Sequence, residues 1–399
     1  MIKEKNIFIY TVCGDNIHID TLNISLQYLK HFSKNEIIVV TDKSRNNKQI
    51  DHDNIIDIKT PTEFDNHQAS IYLKTSLHKY VDFKHNYCYL DSDVIAINRE
   101  VDDIFNYYNS PITFAKDHCK LNEFSPFAIN CGCKEDREKE RKSFFSALKE
   151  INNSYDIEKL FANENSRELF STLYNIRQRP FYNIFKISKY FFQKVLLPFR
   201  YYKLNNKYIL DKKDKVWLDT HHNIVMHDIQ GSFKEIEENT NFHIHKLKKT
   251  WHNKRGENIF KMECLHLHEE INEKYNISIQ PKNWQHWNGG VFLFNENSID
   301  FMNNWHKWTI ENFQDPKWKI RDQGTLAATV WKFKLQNHKT LPSEYNFLAD
   351  FYKPQISYKE GLGFTLDNFR TIFHPKFIHI YHHFGDKDWN IWKHVESLK

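Results

Sequence analysis

Two aspartates separated by one residue, Asp91 and Asp93, interrupt an apolar run in the stretch YCYLDSDVIAIN. Carboxylates at this spacing can reach one hard cation, while Ser92 between them turns away or offers its backbone. Mg²⁺ and Mn²⁺ prefer oxygen ligands and are often shared between protein carboxylates and substrate phosphates, where they stabilise a diphosphate leaving group. Because apolar residues flank the pair, a cation site explains it better than a solvated turn.

The elements around these acids predict a parallel sheet. Apolar runs alternate with segments of helical spacing, as in Ile19, Leu22, Leu26 and Leu29. Strands are predicted at residues 7–12, 36–41, 55–58, 87–90, 94–97, 112–115, 291–295 and 376–381, and helices at residues 19–32, 67–81, 298–312 and 323–331. Ligands of such sheets bind at the carboxyl ends of the strands, where residues 11–16, Asp42 and the Asp91–Asp93 pair are expected to meet.

The composition limits the cellular context. No apolar run approaches the roughly 20 residues that cross a bilayer, and residues 1–16 are interpreted as a first strand rather than a secretion signal. We therefore expect a cytoplasmic protein, soluble or at most peripheral on the inner face of the membrane. The six cysteines do not predict a disulfide framework. Cys131 and Cys133 with Cys264, His266 and His268 lack the usual spacing of a zinc site, which favours free thiols and surface histidines.

The alternation of strand-like and helix-like segments stops in residues 134–282. Helices are predicted at residues 135–150 and 157–173, followed by a segment at residues 177–215 that carries eleven lysines and arginines against two aspartates, a net of +9 (11 − 2) in a chain of net +5. Aromatic residues are interleaved with these cations. The segment fits an interfacial element on an anionic membrane and, equally well, a packed helical subdomain; nucleic acid is disfavoured because no binding motif accompanies it.

Six stretches of the sequence resemble motifs of a known family and occur in the same order as in that family. YCYLDSDVIAIN resembles the Asp-x-Asp signature of nucleotide-sugar glycosyltransferases with the GT-A fold, and more narrowly glycosyltransferase family 8. YTVCGDNIHIDTLNISLQYL is similar to that family's nucleotide-binding loop, NGGVFLFN to its sugar-pocket strand, and RDQGTLAA, LPSEYNFL and IHIYHHFGDKDW to its later motifs. The last motif departs from the family at Asp388, where proline is usual, and by a missing residue between Gly385 and Lys387. The resemblance covers roughly residues 5–130 and 284–393.

The resemblance implies a fold and a domain organisation. It implies a GT-A (Rossmann-like) α/β fold, with a mixed, mostly parallel sheet flanked by helices. Residues 1–133 would form the nucleotide-sugar-binding half, residues 134–282 a large, mainly helical insertion, and residues 283–399 the remainder with the acceptor pocket and the C-terminal metal-binding segment. The insertion would offer an acceptor or membrane surface.

The resemblance also implies roles for individual residues. Asp91, Asp93 and His382 would hold Mn²⁺ or Mg²⁺, with His383 as the rival third ligand; histidine favours Mn²⁺. Asp322 and Gln323 would lie at the reaction centre. The donor would contact Thr11, Val12, Asp15, Asn16, Asp42, Lys74, Asp91, Ser92, Asn288, Gly289, Gly290 and Lys387. Trp284, His286, Trp287 and Trp305 would line the sugar or form core.

The implied activity is metal-dependent transfer of a hexosyl group from a nucleotide diphosphate, with UDP as the expected nucleotide. The acceptor would be a glycan or lipid-linked glycan in the synthesis of bacterial surface polysaccharide or lipooligosaccharide. Retention of the anomeric configuration is favoured; in an inverting enzyme Asp322 would be the general base. The alternatives are a peripheral membrane or glycan-binding protein with a degenerate donor site, and an effector that glycosylates a host protein.

Overall fold

The computed structural model describes residues 4–82, 84–151, 165–166, 168–169, 172–173, 176, 181–197, 199–227, 237–245, 250–352, 356–366 and 371–398. The chain forms two compact units. The first comprises Met1–Cys131 and Glu263–Lys399, and the second comprises Gly132–Met262. Among the described residues, no helix combines the length and the apolar character needed to cross a bilayer.

The first unit contains eleven strands and seven α-helices among its described residues. Its strands are β1 (Asn6–Val12), β2 (Glu36–Thr41), β3 (Ile55–Asp57), β4 (Asn86–Leu90), β5 (Val94–Ala96), β6 (Thr113–Lys120), β7 (Gln285–Phe294), β8 (Phe347–Leu348), β9 (Ser357–Lys359), β10 (Gly363–Thr365) and β11 (Phe377–His379). Its helices are α1 (Asn16–Phe32), α2 (Asn66–Thr75), α3 (Leu121–Ala128), α4 (His266–Tyr275), α5 (Ile299–Glu311), α6 (Arg321–Lys332) and α7 (Asn390–Glu396). Short 3₁₀ turns occur at Leu77–Lys79, Arg99–Tyr107, Glu296–Ser298, Ser343–Tyr345 and Ala349–Tyr352.

A six-stranded mixed sheet forms the centre of this unit, in the order β3-β2-β1-β4-β7-β6. The pairings among β3, β2, β1 and β4 are parallel, and β7 runs antiparallel to both β4 and β6. The first half of the chain therefore supplies the parallel strands, as the alternating pattern predicts. The mixed α/β class is confirmed.

Apolar side chains cover both faces of this sheet. Along β1, Phe8 and Tyr10 belong to one core cluster and Ile7 and Ile9 to the other, because successive side chains of a strand point to opposite faces. Helix α1 packs on the first cluster through the predicted residues Ile19, Leu22, Leu26 and Leu29. Helices α2, α5 and α6 cover the second. Burial on both faces explains why these strands are continuous apolar runs rather than alternating ones.

A second, three-stranded sheet has the order β8-β11-β5. Strand β5 follows the two aspartates directly, yet it leaves the central sheet and pairs antiparallel with β11, so that His379 lies opposite Val94. The turn Asp91–Ser92–Asp93 therefore connects two sheets. This crossing brings the C-terminal part of the chain to the acidic pair.

The described part of the second unit contains helices and, in addition, short antiparallel strands that the sequence analysis does not predict. Helix Cys133–Ile151 confirms the prediction at residues 135–150, and helix Ile184–Phe191 lies within the basic segment. The strands Tyr201–Lys203, Ile209–Asp211, Val216–Leu218 and Ile224–His227 form an antiparallel sheet, and His243–Ile244 pairs with Trp251–His252. The helix predicted at residues 157–173 lies mostly outside the described residues.

The shortness of the strands in this sheet explains why the sequence does not predict them. Each is three or four residues long and is separated from the next by a polar turn, so a window long enough to detect periodicity averages strand with turn. One face nevertheless buries Tyr202, Leu210, Trp217 and Met226. The Arg200 guanidinium pairs with Asp211 at 2.7 Å, so part of the basic charge is used inside the unit.

Candidate functional site

The backbone fixes the two aspartates from both sheets. The N–H of Asp91 donates to the carbonyl of Gly290 in β7 at 2.8 Å, at the carboxyl end of β4. The N–H of Val94 closes the turn onto the carbonyl of Asp91 at 3.1 Å, and the N–H of Ile380 donates to the carbonyl of Asp93 at 3.0 Å. The acidic pair therefore sits in a hydrogen-bonded frame rather than in a solvated loop.

A histidine from β11 completes a group of metal-binding side chains. Ligand atoms of Asp91, Asp93 and His379 all lie within 4.8 Å of one another, and His379 Nε2 is 3.2 Å from Asp93 Oδ1. Burial alone would raise the pKa of Asp93, but the attraction and hydrogen bond of His379 outweigh it and hold that pKa below its usual value. Burial would lower the pKa of His379, and the attraction of Asp93 and Asp91 raises it instead. A positive charge between the three groups is therefore favoured.

Hydrogen bonds behind His379 fix the tautomer of its ring. Asp117, which as a carboxylate can only accept, receives the side-chain N–H of Asn288 at 2.9 Å. The oxygen of Asn288 then accepts from Gly290 N–H at 2.8 Å and from the side chain of Asn346 at 3.1 Å. This leaves the oxygen of Asn346 facing His379 Nδ1 at 2.9 Å.

This relay assigns the proton of the neutral imidazole to Nδ1 and the lone pair to Nε2, the atom that faces Asp93. Two acceptors 3.2 Å apart require a proton or a cation between them. A metal-binding histidine is commonly held in this way by a partner on its other nitrogen. The residues present therefore fit a divalent cation held by Asp91, Asp93 and His379.

A buried lysine joins the acidic pair to a third carboxylate. Lys74 lies in the last turn of α2, is 6% exposed, and places Nζ 3.2 Å from Asp91 Oδ1 and 3.4 Å from Asp322 Oδ2. Burial would lower the pKa of Lys74, but the attraction of Asp91 and Asp322 raises it. The hydroxyl of Tyr89 donates to Asp91 at 2.5 Å and lies 3.1 Å from Thr11 Oγ1. Three carboxylates against one lysine leave a negative balance that suits a divalent cation.

Two glycines in β7 allow this close packing. The pairing of β7 with β6 is interrupted between Asn288 and Phe292, which places Gly289 and Gly290 in an irregular stretch of the strand. A β-carbon on Gly290 would lie 2.6 Å from His379 Cε1 and 2.9 Å from Asp91 Oδ2, closer than such contacts occur. A β-carbon on Gly289 would lie 3.1 Å from the amide of Gln323. Glycine at position 290 is thus required by the packing of His379 and Asp91, while a side chain at position 289 would press on Gln323.

Helix α6 begins beside this irregular strand. The indole N–H of Trp305 donates to the carbonyl of Asp322 at 2.8 Å and fixes the first turn of the helix. With its oxygen facing Gly289 N–H at 3.0 Å, the Gln323 amide donates to the carbonyl of Trp287 at 3.1 Å. The predicted reaction-centre residues Asp322 and Gln323 therefore lie next to Lys74 and the two glycines.

The loop after β1 lies at the same edge of the central sheet. Thr11 is buried and connects to the acidic group through Tyr89. Val12 is buried, and its carbonyl accepts from Thr41 Oγ1 at 2.7 Å. Asp15 and Asn16 are exposed, and the carboxylate of Asp15 accepts from Asn66 at 2.9 Å. These exposed groups are available to a ligand.

The carboxylate of Asp42 is used in hydrogen bonds that stabilise the fold. Its buried carboxylate accepts from the N–H and hydroxyl of Ser44 and of Thr60, at 2.5 to 3.1 Å. Burial would raise the pKa of Asp42, but these hydrogen bonds outweigh it and hold the pKa well below its usual range. The bonds join the loop after β2 to the chain beyond β3, and they use the oxygens that a donor contact would need.

The structure does not bring the predicted third ligand to the aspartates. His382 is exposed, and its N–H donates to Asp350 at 2.6 Å, while His383 faces Asp386 at 3.4 Å. Lys387 is exposed, and within the described part of the chain no contact joins it to Asp91 or Asp93. His379 takes the place assigned to His382, because β11 ends at His379 and its side chain lies opposite the turn after β4.

Other residues of the site carry a weaker sequence signal. Tyr89 and Asn346 lie inside two of the resembling stretches, but the sequence-based predictions assign neither of them a role in the site. Asp117 follows the predicted strand at residues 112–115 by two positions, and only the pairing of β6 with β7 places it beside Asn288. The aromatic candidates Trp284, His286, Trp287 and Trp305 are buried in the core, at most 6% exposed, and so pack the sheet.

Comparisons with known proteins give little further information. No family model matches the sequence, and no curated protein matches it. One solved structure to which the chain is similar is the apo form of the bifunctional glycosyltransferase WbbM, with a TM-score of 0.36 and 10% identity over 87% of this chain and 40% of that one. The chain thus spans about two fifths of that protein's length. A similarity at this level assigns neither a fold family nor a function to this chain.

Proposed function

We propose that this protein is a glycosyltransferase that uses a divalent cation and a nucleotide-diphosphate sugar. One observation carries the proposal: Asp91, Asp93 and His379 converge at the carboxyl end of a parallel strand, beside the buried Lys74–Asp322 pair. The resemblance of six ordered stretches to GT-A enzymes of glycosyltransferase family 8 supports it. UDP is the proposed nucleotide, and Mn²⁺ is favoured over Mg²⁺ because one of the three ligands is an imidazole.

A cation bound here would offset the charge of the donor diphosphate and of the leaving nucleotide. The chain itself would bind and orient the donor. Thr11, Asp15 and Asn16 would contact the nucleoside, and the backbone at Gly289 and Gly290 would approach the sugar closely because no β-carbon intervenes. Asp322 and Gln323 would border the reacting carbon. Lys74, with Nζ 3.4 Å from Asp322 Oδ2, would hold that carboxylate in place, so that Asp322 could orient an acceptor hydroxyl.

The acceptor is proposed to be a glycan or lipid-linked glycan of a bacterial surface polysaccharide or lipooligosaccharide, modified at the cytoplasmic face of the membrane. Support comes from helix Ile184–Phe191, which has no buried residue and ends in Lys189 and Phe191. Phe181, Tyr182 and Phe185 are 87 to 90% exposed. An apolar surface interleaved with lysines suits anionic lipid.

Donor binding and turnover test the function. We expect Mn²⁺ to be required for binding of UDP, measured by calorimetry, and for release of UDP from one member of a panel of UDP-sugars. Asp91→Asn and Asp93→Asn should reduce turnover at least a hundredfold, and EDTA should abolish it. NMR of the product anomer tests retention of configuration, which the resemblance favours.

A matched pair of histidines is the control. His379→Ala should lose cation binding, while His382→Ala, three residues away and exposed, should keep it. Equal loss in both variants, or loss in His382→Ala alone, would contradict the proposed ligand set. Failure of every nucleotide sugar to bind, with the cation bound, would contradict the proposed function itself.

A further inference from the structure

A second group of metal-binding side chains lies in the first unit, on another part of the chain from the acidic site. Cys131, Cys264 and His266 bring ligand atoms within 4.8 Å of one another. The two sulfurs are 3.9 Å apart. This separation is too long for a disulfide, whose S–S bond is about 2.05 Å. It matches the edge of a tetrahedron with Zn–S bonds of about 2.3 Å, for which two sulfurs lie roughly 3.8 Å apart.

Backbone contacts hold the chain on both sides of this group. Ile129 pairs with Trp318, and the N–H of Asn130 donates to the carbonyl of Lys317 at 2.7 Å, which fixes the chain just before Cys131. The N–H of Cys264 donates to the carbonyl of Asn122 in α3 at 2.9 Å. Backbone hydrogen bonds of the fold therefore position the two sulfurs without a metal, as a preorganised site requires.

Ser125 of α3 sits behind the ligands. Its hydroxyl lies 3.1 Å from Cys264 Sγ and accepts the N–H of Leu267 at 2.9 Å, at the start of helix α4. Hydrogen bonds from a neighbouring hydroxyl orient a thiolate in the way that a second layer of groups supports a metal centre. His268, the other histidine of this stretch, contacts the carbonyl of Lys282 at 2.8 Å through Nε2, and it is not part of the group.

Thiolate and imidazole ligands select zinc over the hard cations that carboxylates prefer. Zinc takes four ligands in structural sites, and the sequence supplies a further thiol, Cys133, two residues beyond Cys131. The one-residue separation of these cysteines fails the usual zinc spacing, but φ of Gly132 is +74°, a left-handed turn that glycine adopts without strain. The spacing therefore does not exclude zinc.

We propose that Cys131, Cys264 and His266 bind a structural zinc ion. Cys131 is the last residue of the first unit before the chain leaves it, and Cys264 is the second after it returns. Zinc here joins positions 133 residues apart in the sequence. Closing so long a loop reduces the entropy of the unfolded chain and holds α4 on α3.

Metal analysis of the full chain tests this site independently of the proposed activity. Protein reconstituted with zinc and dialysed against metal-free buffer is expected to retain one equivalent of zinc, measured by plasma mass spectrometry. The double variant C131S/C264S should lose that equivalent. The matched control C13A removes a buried cysteine outside the group and should keep it. His379→Ala should also keep it, because that histidine belongs to the carboxylate site.

The wild type provides a second test if the double variant does not fold. Cobalt substituted for zinc should give the intense visible bands of tetrahedral coordination together with a thiolate charge-transfer band. Stepwise modification of the thiols by a mercurial should release zinc in proportion. Zinc absent after reconstitution, retained by folded C131S/C264S, or lost with His379→Ala, would each overturn the proposal. If the protein binds zinc but no nucleotide sugar, the zinc proposal stands and only the proposed function is contradicted.

Discussion

At the scale of single residues, the site depends on which atom of His379 carries a proton. Its ring is turned by a relay that begins at Asp117 and passes through Asn288 and Asn346. None of these three side chains is among the groups that could bind the cation with His379. Their hydrogen bonds have a fixed direction. Because Asp117 can only accept, the side-chain amides of Asn288 and Asn346 each have one orientation. Residues without catalytic chemistry therefore decide whether Nε2 presents a lone pair to the aspartates.

Substitution of Asn346 tests this relay. In Asn346→Ala the Nδ1 proton of His379 loses its acceptor, and we expect Mn²⁺ affinity to fall roughly 10 to 100-fold, as for other removals of a ligand's supporting partner. Asn346→Asp keeps an oxygen facing Nδ1, so its affinity should stay closer to the wild type. Calorimetric titration of Mn²⁺ measures both. Equal affinities in the wild type and Asn346→Ala would show that the relay does not orient the ligand.

At the scale of elements, the irregular strand β7 and helix α2 bring the charges together. The irregular stretch of β7 lets the main chain approach His379 and Asp91, where any β-carbon would collide. Helix α2 begins with a capping box between Asp65 and Gln68, which fixes its first turn and thereby the position of Lys74 one helix length away. In the second unit, helix Ile184–Phe191 has the opposite character, because none of its residues is buried, although Tyr190 packs in part against Tyr202.

This exposed helix should behave as a lipid-binding surface. The triple variant Phe181→Ser, Tyr182→Ser and Phe185→Ser removes three side chains that are at least 87% exposed, so folding should be unaffected. We expect flotation with anionic liposomes to fall several-fold, because apolar insertion is lost while the lysines remain. Phe260→Ser and Phe351→Ser, at exposed aromatic residues elsewhere, are the matched controls. Unchanged flotation of the triple variant would exclude this surface.

At the scale of the whole molecule, buried histidines make stability depend on acidity. His306 is 7% exposed on α5, where Thr75 lies 2.8 Å from Nδ1, Tyr72 and His78 pack against the ring, and Lys79 and His78 act on it electrostatically. Burial, with the repulsion of Lys79 and His78, lowers the pKa of His306 to about 3. The native protein therefore keeps this ring neutral at pH values where the unfolded chain protonates it.

Because of this difference, acid should destabilise the protein. Below about pH 6.5, the unfolded chain binds a proton that the native state refuses until about pH 3, so the free energy of unfolding falls as the pH decreases through this window. The loss attributable to His306 is up to about 1.4 kcal/mol per pH unit. Urea titrations at a series of pH values from 7 to 4.5 give the free energy of unfolding at each pH. This free energy should fall less steeply with decreasing pH in His306→Gln than in the wild type. The same pH dependence in both proteins would show that the pKa of His306 is not lowered in the native state.

Local pattern determined the secondary structure that surrounds the site. The runs at residues 7–12, 36–41 and 87–90 are apolar because both faces of the sheet are covered, and burial of that kind is visible in a sequence. The same pattern located Asp91 and Asp93 at a strand end, and Gly289 and Gly290 at a close approach. Periodicity failed in residues 201–227, where strands of three or four residues are too short to show a period.

The sequence by itself therefore determined the sheet, its buried strands and the two aspartates, since these depend on neighbours along the chain. Only the tertiary structure decided the partners. Strand β5 leaves the central sheet to pair with β11, and this crossing selects His379 over His382. The relay through Asn346 and the meeting of Cys131 with Cys264 likewise join residues far apart in sequence. Such contacts arise from how elements pack, and no local pattern encodes which side chains then face each other.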